Sequence, residues 1–135
     1  MDDRHQIIEQ LARFAAGLDA KDWELLRELL AEDANAYGRS GRDAIIATIR
    51  GHLGGCGATQ HLLGNHRVEV DGDGARSLTY ARVYHEGAGD RAGGFFECLG
   101  EYEDRWVRTG DGWRLSYRRF DMRIRLGDFG VLQPG

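Results

Sequence analysis

The chain is predicted to be an α+β domain, with its helices first and an antiparallel sheet after them laid against or curled around those helices. Three observations carry that prediction. Apolar residues recur at helical spacing as far as Leu53, they alternate with polar residues from Thr59 onward, and the turn signals "DGDG" (71–74) and "TGDG" (109–112) each separate two alternating runs. At 135 residues with 41% apolar content, the chain has the size of a single domain, 1–135, able to bury a core and enclose a ligand pocket.

Ile7, Leu11, Phe14 and Leu18, joined by Ile8 and Ala15, form one apolar stripe and predict the first helix, whose end Gly17 and Asp19 should loosen. A second helix is predicted in "KDWELLRELLAED", with Asp22 capping its first turn and Trp23, Leu26, Leu29 and Leu30 on its buried face. A short extended piece around Asn35 to Tyr37 follows. The segment "GRDAIIATIRGHL" then gives a third helix through Ile45, Ile46, Ile49 and Leu53, stopped by the glycines of "GHLGGCG". "HRVEV" and "RSLTYARVYHE" read as one strand pair, "FFECLGEYEDRWV" and "WRLSYRRFDMRIRL" as the other. The intervening "GAGDRAGG" is too rich in glycine for regular structure.

A formal charge of -4 gives no electrostatic reason to expect nucleic acid or an anionic membrane as partner. Seven arginines fall between Arg105 and Arg125, but Glu97, Glu101, Glu103 and Asp104 lie in the same predicted strands, where opposite charges can pair across the sheet. No nucleic-acid-binding signature accompanies them. Cys56 and Cys98 form no C-x-x-C pattern, and reduced thiols are expected. The charged start "MDDRHQIIEQ" lacks the apolar stretch of a secretory signal, and no run approaches the roughly 20 apolar residues of a membrane span. A cytoplasmic protein is expected.

The stretch "TQHLLGNH" holds two of the five histidines. His61 and His66 would diverge by about 140° on a helix and take opposite faces of a regular strand, so the pair is not a metal grip. Metal binding by Asp19, His61 and His85 together is encoded by no spacing, and no metal is predicted. His85 shares a strand face with Ala81 and Val83, which suits the inside of a pocket and equally suits a core histidine satisfied by a backbone carbonyl. His66 is expected at the surface or in sheet packing, and His5 and His52 at exposed helix ends. No base stands beside Cys98 in the sequence, and neither Ser40 nor Ser116 sits in a nucleophile motif.

The order "LDAKDWELL", an extended tyrosine, "TQHLLGN", "RVYH" and "GEYEDRWVRTGDGWRLSYRR" resembles the SnoaL-like branch of the nuclear transport factor 2-like superfamily, over Ile7 to Leu126. The similarity extends in particular to scytalone dehydratase and its bacterial relatives, which include bile-acid dehydratases and a dehydrochlorinase. That resemblance implies a cone, a strongly curved sheet wrapped around helices with a deep apolar pocket inside. It also implies no cofactor, and a homodimer formed through the outer sheet face. The fold serves dehydratases, isomerases, cyclases, epoxide hydrolases and plain binders, so it does not name a reaction.

By the same resemblance, Asp19 matches the pocket aspartate of the dehydratases, His61 their first histidine and His85 the second histidine of scytalone dehydratase. Tyr37 matches a pocket tyrosine. Gly100 and Tyr102 stand where scytalone dehydratase has serine and asparagine, so its substrate does not carry over. A carboxylate beside an imidazole in a dry pocket fixes one tautomer and favours the imidazolium. His61 oriented by Asp19 is therefore the expected general base, with His61 or His85 returning the proton and Tyr37 donating to a developing oxyanion. Phe14, Trp23, Leu53, Leu63, Phe96, Tyr102 and Trp106 are the candidate substrate walls. Dehydration, isomerisation or ring closure of a small apolar oxygenated ring compound, such as a polyketide of secondary metabolism, is the leading expectation. A noncatalytic binding or dimeric interaction module comes second, and an epoxide-opening enzyme third.

Overall fold

The first helix, α1 (Asp3–Ala20), is started by Asp2, whose carboxylate accepts the His5 backbone N–H at 2.8 Å. Its stripe of Ile7, Leu11, Phe14 and Leu18 is buried. The helix does not loosen at Gly17. A Cβ there would lie 2.9 Å from Leu26 Cδ2, so the glycine allows the next helix to pack closely. The end comes at Lys21, in the left-handed region (φ 54°), with backbone N–H groups closing on Gly17 and Leu18.

The computed structural model, which describes residues 2–135, ends α2 (Trp23–Leu29) earlier than its periodicity predicts. Asp22 caps it as expected, accepting from the Leu25 N–H at 3.2 Å. From Leu30 the chain runs extended as β1 (Leu30–Ala36), parallel to the last strand with Leu30 opposite Leu115, and buries Leu30, Ala31, Ala34 and Ala36. Pairing with a distant strand overrides local helix preference here. Tyr37 is not extended. Tyr37 and Gly38 (φ 55° and 74°) form the tight turn to β2 (Arg39–Ser40).

After α3 (Arg42–Leu53) come four long strands, β3 (Thr59–Asp71), β4 (Gly74–Glu86), β5 (Phe95–Thr109) and β6 (Gly112–Gly127). The curved, unclosed sheet has the order β2-β1-β6-β5-β4-β3. It is antiparallel throughout except where β1 joins β6 in parallel, a mixed pairing that the expected antiparallel sheet did not include. One sheet face and the three helices share a core that includes Phe14, Leu26, Ile45, Val83, Phe96 and Leu115. "GAGDRAGG" contains a single 3₁₀ turn, Gly89–Arg91.

β3 is longer than "HRVEV" alone and takes in all of "TQHLLGNH". The register slips between Gly64 and Arg67, where three steps along β3 oppose two along β4 (Tyr80 to Leu78), and Asn65 lies in the left-handed region (φ 52°). The extra residue reverses the alternation. His61 and His66 consequently turn to the same side of the sheet, whereas a regular strand would separate them.

Several arginines of the second half pair with carboxylates. Arg82 meets Glu97, Arg76 meets Glu103, and Arg67 and Arg123 both meet Glu101. Arg118 and Asp104 form a bidentate ion pair at 2.8 and 3.1 Å within the core. Both cysteines are free and buried. Among the described residues no helix is long and apolar enough to cross a membrane.

Candidate active site

Asp19 stands one residue before the end of α1, where the helix dipole is unfavourable to a carboxylate, so the group depends on nearby donors. The start of β3 supplies three. Thr59 Oγ1 donates to Oδ1 at 2.9 Å, the His61 backbone N–H to Oδ2 at 3.0 Å, and His61 Nδ1 to Oδ1 at 2.6 Å. Burial alone would push this carboxyl up, but the His61 bonds and the Thr59 hydroxyl together hold it below its ordinary value. The His61 side chain is 5% exposed and that of Asp19 25%. Water reaches the back of the pair, while the imidazole turns inward.

His85 projects from β4, where its backbone lies opposite Thr59, and its ring is 6.4 Å from that of His61 between centroids. Its Nδ1 donates to the Phe96 carbonyl at 2.8 Å, the backbone satisfaction expected of a core histidine. Burial is the main reason its pKa is lowered, the Phe96 bond opposing and the His61 charge adding to the effect. Each imidazole therefore carries a proton on Nδ1 toward a protein acceptor and leaves Nε2 outside these contacts. Among the described residues no buried side-chain nitrogen or oxygen lacks a partner, and both rings border one cavity, His61 also edging a groove between α1 and β3.

That cavity has a volume of about 290 Å³ and lies between α3 and the helix-facing side of β4–β6, near the low end of the ~300–1,000 Å³ of small-molecule sites. His61, His85, Tyr37, Leu53, Phe96 and Tyr102 all border it. The left-handed backbone at Tyr37 directs its ring there from the β1–β2 turn. Burial pushes the Tyr102 hydroxyl far up, so it remains a neutral donor. Arg118 lies against the Tyr102 ring, 3.8 Å from its centroid, which fixes that side chain from behind.

Four candidate walls lie elsewhere. Phe14 is core beneath the Arg118 guanidinium, 4.7 Å from it, and Trp23 carries Arg50 on its face at 5.4 Å. Trp106 is buried and donates to Ser77 Oγ at 2.9 Å. Leu63 lines a separate groove with Ala12, Ala15, Asp19, His61 and His66. His66 itself is half-buried, 3.2 Å from Thr79 Oγ1. Val83, placed by the sequence on a pocket-suited strand face, does line the cavity, whereas sequence reasoning did not single out Ile49, Phe120 and Met122 as cavity walls, nor Phe129 and Leu132 from the C-terminal segment. Helical spacing from Leu53 points to Ile49, and the two-residue step points from Phe120 to Met122. His52, expected at an exposed helix end, is exposed and also edges the cavity. Cys98 faces the cavity with its thiol pushed up to about 11 by burial and by Glu97, which leaves it no thiolate character at neutral pH. Among the described residues no three His, Cys, Asp or Glu side chains gather into a set able to hold a metal ion.

Residues 1–119 match the SnoaL-like domain, over most of the chain. The chain belongs to the SnoaL-like family. An uncharacterized protein of Mycobacterium tuberculosis is 34% identical over 122 residues, covering 86% of this chain and 82% of that protein. Among solved structures, a nuclear transport factor 2-like protein with a cystatin-like fold from Novosphingobium aromaticivorans is 30% identical, with a TM-score of 0.70 over 89% of this chain and 81% of that one. A candidate scytalone dehydratase from the same organism is 22% identical, with a TM-score of 0.84 over 96% and 91%. The SnoaL-like assignment and these neighbours agree on the fold class, a cystatin-like α+β arrangement.

Proposed function

We propose that this protein is a cofactor-independent general acid–base enzyme, a dehydratase, isomerase or cyclase acting on a small, largely apolar, oxygenated ring compound such as a polyketide of secondary metabolism. The observation that carries the reading is the Asp19–His61 contact of 2.6 Å behind an imidazole that borders an apolar cavity. The fold neighbour named for scytalone dehydration supports it.

In this reading His61 Nε2 removes a proton from carbon beside a carbonyl, and Asp19 stabilises the imidazolium that results. Electron density moves to the carbonyl oxygen, where Tyr37 and Tyr102 are the available hydroxyl donors. Burial favours neutral His85, whose Nδ1–H donates to the Phe96 carbonyl, so its Nε2 accepts a hydrogen bond from substrate rather than giving a proton. The proton taken by His61 is then the one returned to a departing hydroxyl or to a neighbouring carbon.

The test is exchange of the hydrogen beside the carbonyl in a panel of cyclic β-hydroxy ketones in D₂O, followed by NMR together with water loss. His61→Ala and Asp19→Asn should each lower the rate by about 10²- to 10⁴-fold while the fold is retained. Equal rates in the wild type and both variants would end the proposal. A second reading is favoured by the Asp19 clasp itself, whose three bonds tie α1 to β3. In a noncatalytic binding module the same substitutions would lower melting temperature with no activity to lose.

The outer sheet face carries exposed Leu62, Tyr80, Tyr84 and Ile124 beside the Arg82–Glu97 pair, an apolar patch suited to a second copy of the chain. A cytoplasmic homodimer completes the proposal.

A further inference from the structure

We propose that Thr59 is a positioning residue of the site, its hydroxyl holding the Asp19 carboxylate in the orientation that keeps His61 in the Nδ1–H tautomer. The proposal rests on the functional reading above, although its test needs no turnover.

The geometry is specific. Asp19 Oδ1 accepts from both Thr59 Oγ1 (2.9 Å) and His61 Nδ1 (2.6 Å), while Oδ2 accepts the His61 backbone N–H (3.0 Å). A carboxylate offers no proton at neutral pH, so the threonine hydroxyl must be the donor and its direction is fixed. Oδ2 is anchored by backbone that no substitution removes. Oδ1 is anchored only by two side chains, and one of them is the imidazole to be oriented. Without the hydroxyl, Oδ1 is held by the imidazole alone, beside the groove between α1 and β3, and 25% of the Asp19 side chain is already reached by solvent. Water would then compete for Oδ1, and the Nδ1–H tautomer would lose its preferred acceptor.

The position of Thr59 is also set by the fold. It begins β3 and lies opposite His85, with His61 two residues on and on the same face. One strand end thus delivers the orienting hydroxyl and the base side by side, with the second imidazole across the ladder. A β-branched residue suits this extended site, and Thr combines that shape with a donor.

Long-range ¹H–¹⁵N correlation spectra of uniformly ¹⁵N-labelled protein report the tautomer of His61 directly. In the wild type His61 should be the Nδ1–H form, and the Thr59 hydroxyl proton should exchange slowly enough to be seen with a cross-peak to His61 Nδ1–H. Thr59→Val, which keeps the shape and removes the donor, should raise the Nε2–H population about fivefold, as loss of one hydrogen bond predicts. Thr59→Ser should restore the wild-type spectrum. An unchanged tautomer in the valine variant, or a serine variant as disturbed as the valine one, would overturn the proposal. So would the absence of a protected Thr59 hydroxyl in the wild type, a result available even if the valine variant does not fold. Failure of the catalytic reading would leave these spectra unaltered, so the two are separable.

Discussion

His61 and His85 face one another with ring centroids 6.4 Å apart and planes at 74°, and each has committed its Nδ1–H to a protein acceptor, Asp19 in one case and the Phe96 carbonyl in the other. Both rings border one apolar cavity. A charge on either ring would be felt by the other.

A dependence of stability on pH follows. Burial lowers the pKa of both His85 and His66 from the ordinary value of 6.5. The unfolded chain takes up these protons near pH 6.5, and the folded chain only at lower pH. Their contribution is thus fully present above 6.5 and is lost as pH falls through the folded values. Melting temperature, followed from about pH 8 down to about pH 5, should be nearly level at first and then decline. The double variant His66→Gln, His85→Gln should decline less steeply over the same range, and an identical slope would refute this account.

The Arg118–Asp104 pair is expected to be the most sensitive charged contact in the fold. Burial works against the guanidinium charge, and Asp104 more than offsets it, holding Arg118 above its ordinary value. Arg118→Met leaves a carboxylate uncompensated in the core and should cost about 3–5 kcal/mol in urea unfolding. Adding Asp104→Leu should recover much of that loss, because the double change removes the orphaned charge.

Gly100 should resist enlargement. A Cβ built there would lie 2.2 Å from the Asp121 carbonyl oxygen and 2.8 Å from Phe120 Cζ, beside the register shift between β5 and β6. The serine that scytalone dehydratase has at this place does not fit here without a shift of β6. Gly100→Ser should lose about 1–3 kcal/mol of stability, the usual range for overpacking, and a denaturation midpoint equal to wild type would contradict the geometry.

Association through the outer sheet face can be weighed directly. Leu62 and Ile124 are 64% and 53% exposed and border one shallow groove. The double variant Leu62→Glu, Ile124→Glu places like charges at that groove and should reduce the mass seen by light scattering to about half that of the wild type. Equal masses would remove this face as the contact.

Period and residue chemistry, both local properties, were legible in the chain alone. Ile7, Leu11, Phe14 and Leu18 declared α1, and the turn signals at 71–74 and 109–112 declared both long hairpins. Asp19, His61, His85 and Tyr37 were named as a set only through the resemblance to the SnoaL-like family. Long-range geometry was not legible. Residues 30–33 read as helix by spacing, yet run as strand because Leu30 pairs with Leu115, a partner that no local window contains. Asn65, whose residue type suits a strand bulge, does sit at one, but its effect of turning His61 and His66 to one side by adding a single residue to β3 is not contained in a strict two-residue period. Likewise Phe14, Trp23, Leu63 and Trp106 are as apolar as the true cavity walls. Only the curvature of the sheet over the helices separates side chains that fill the core from those, such as Ile49 and Met122, that border empty space. Periodicity describes which way a side chain leaves its own element, whereas a cavity is defined by what the opposite elements fail to fill.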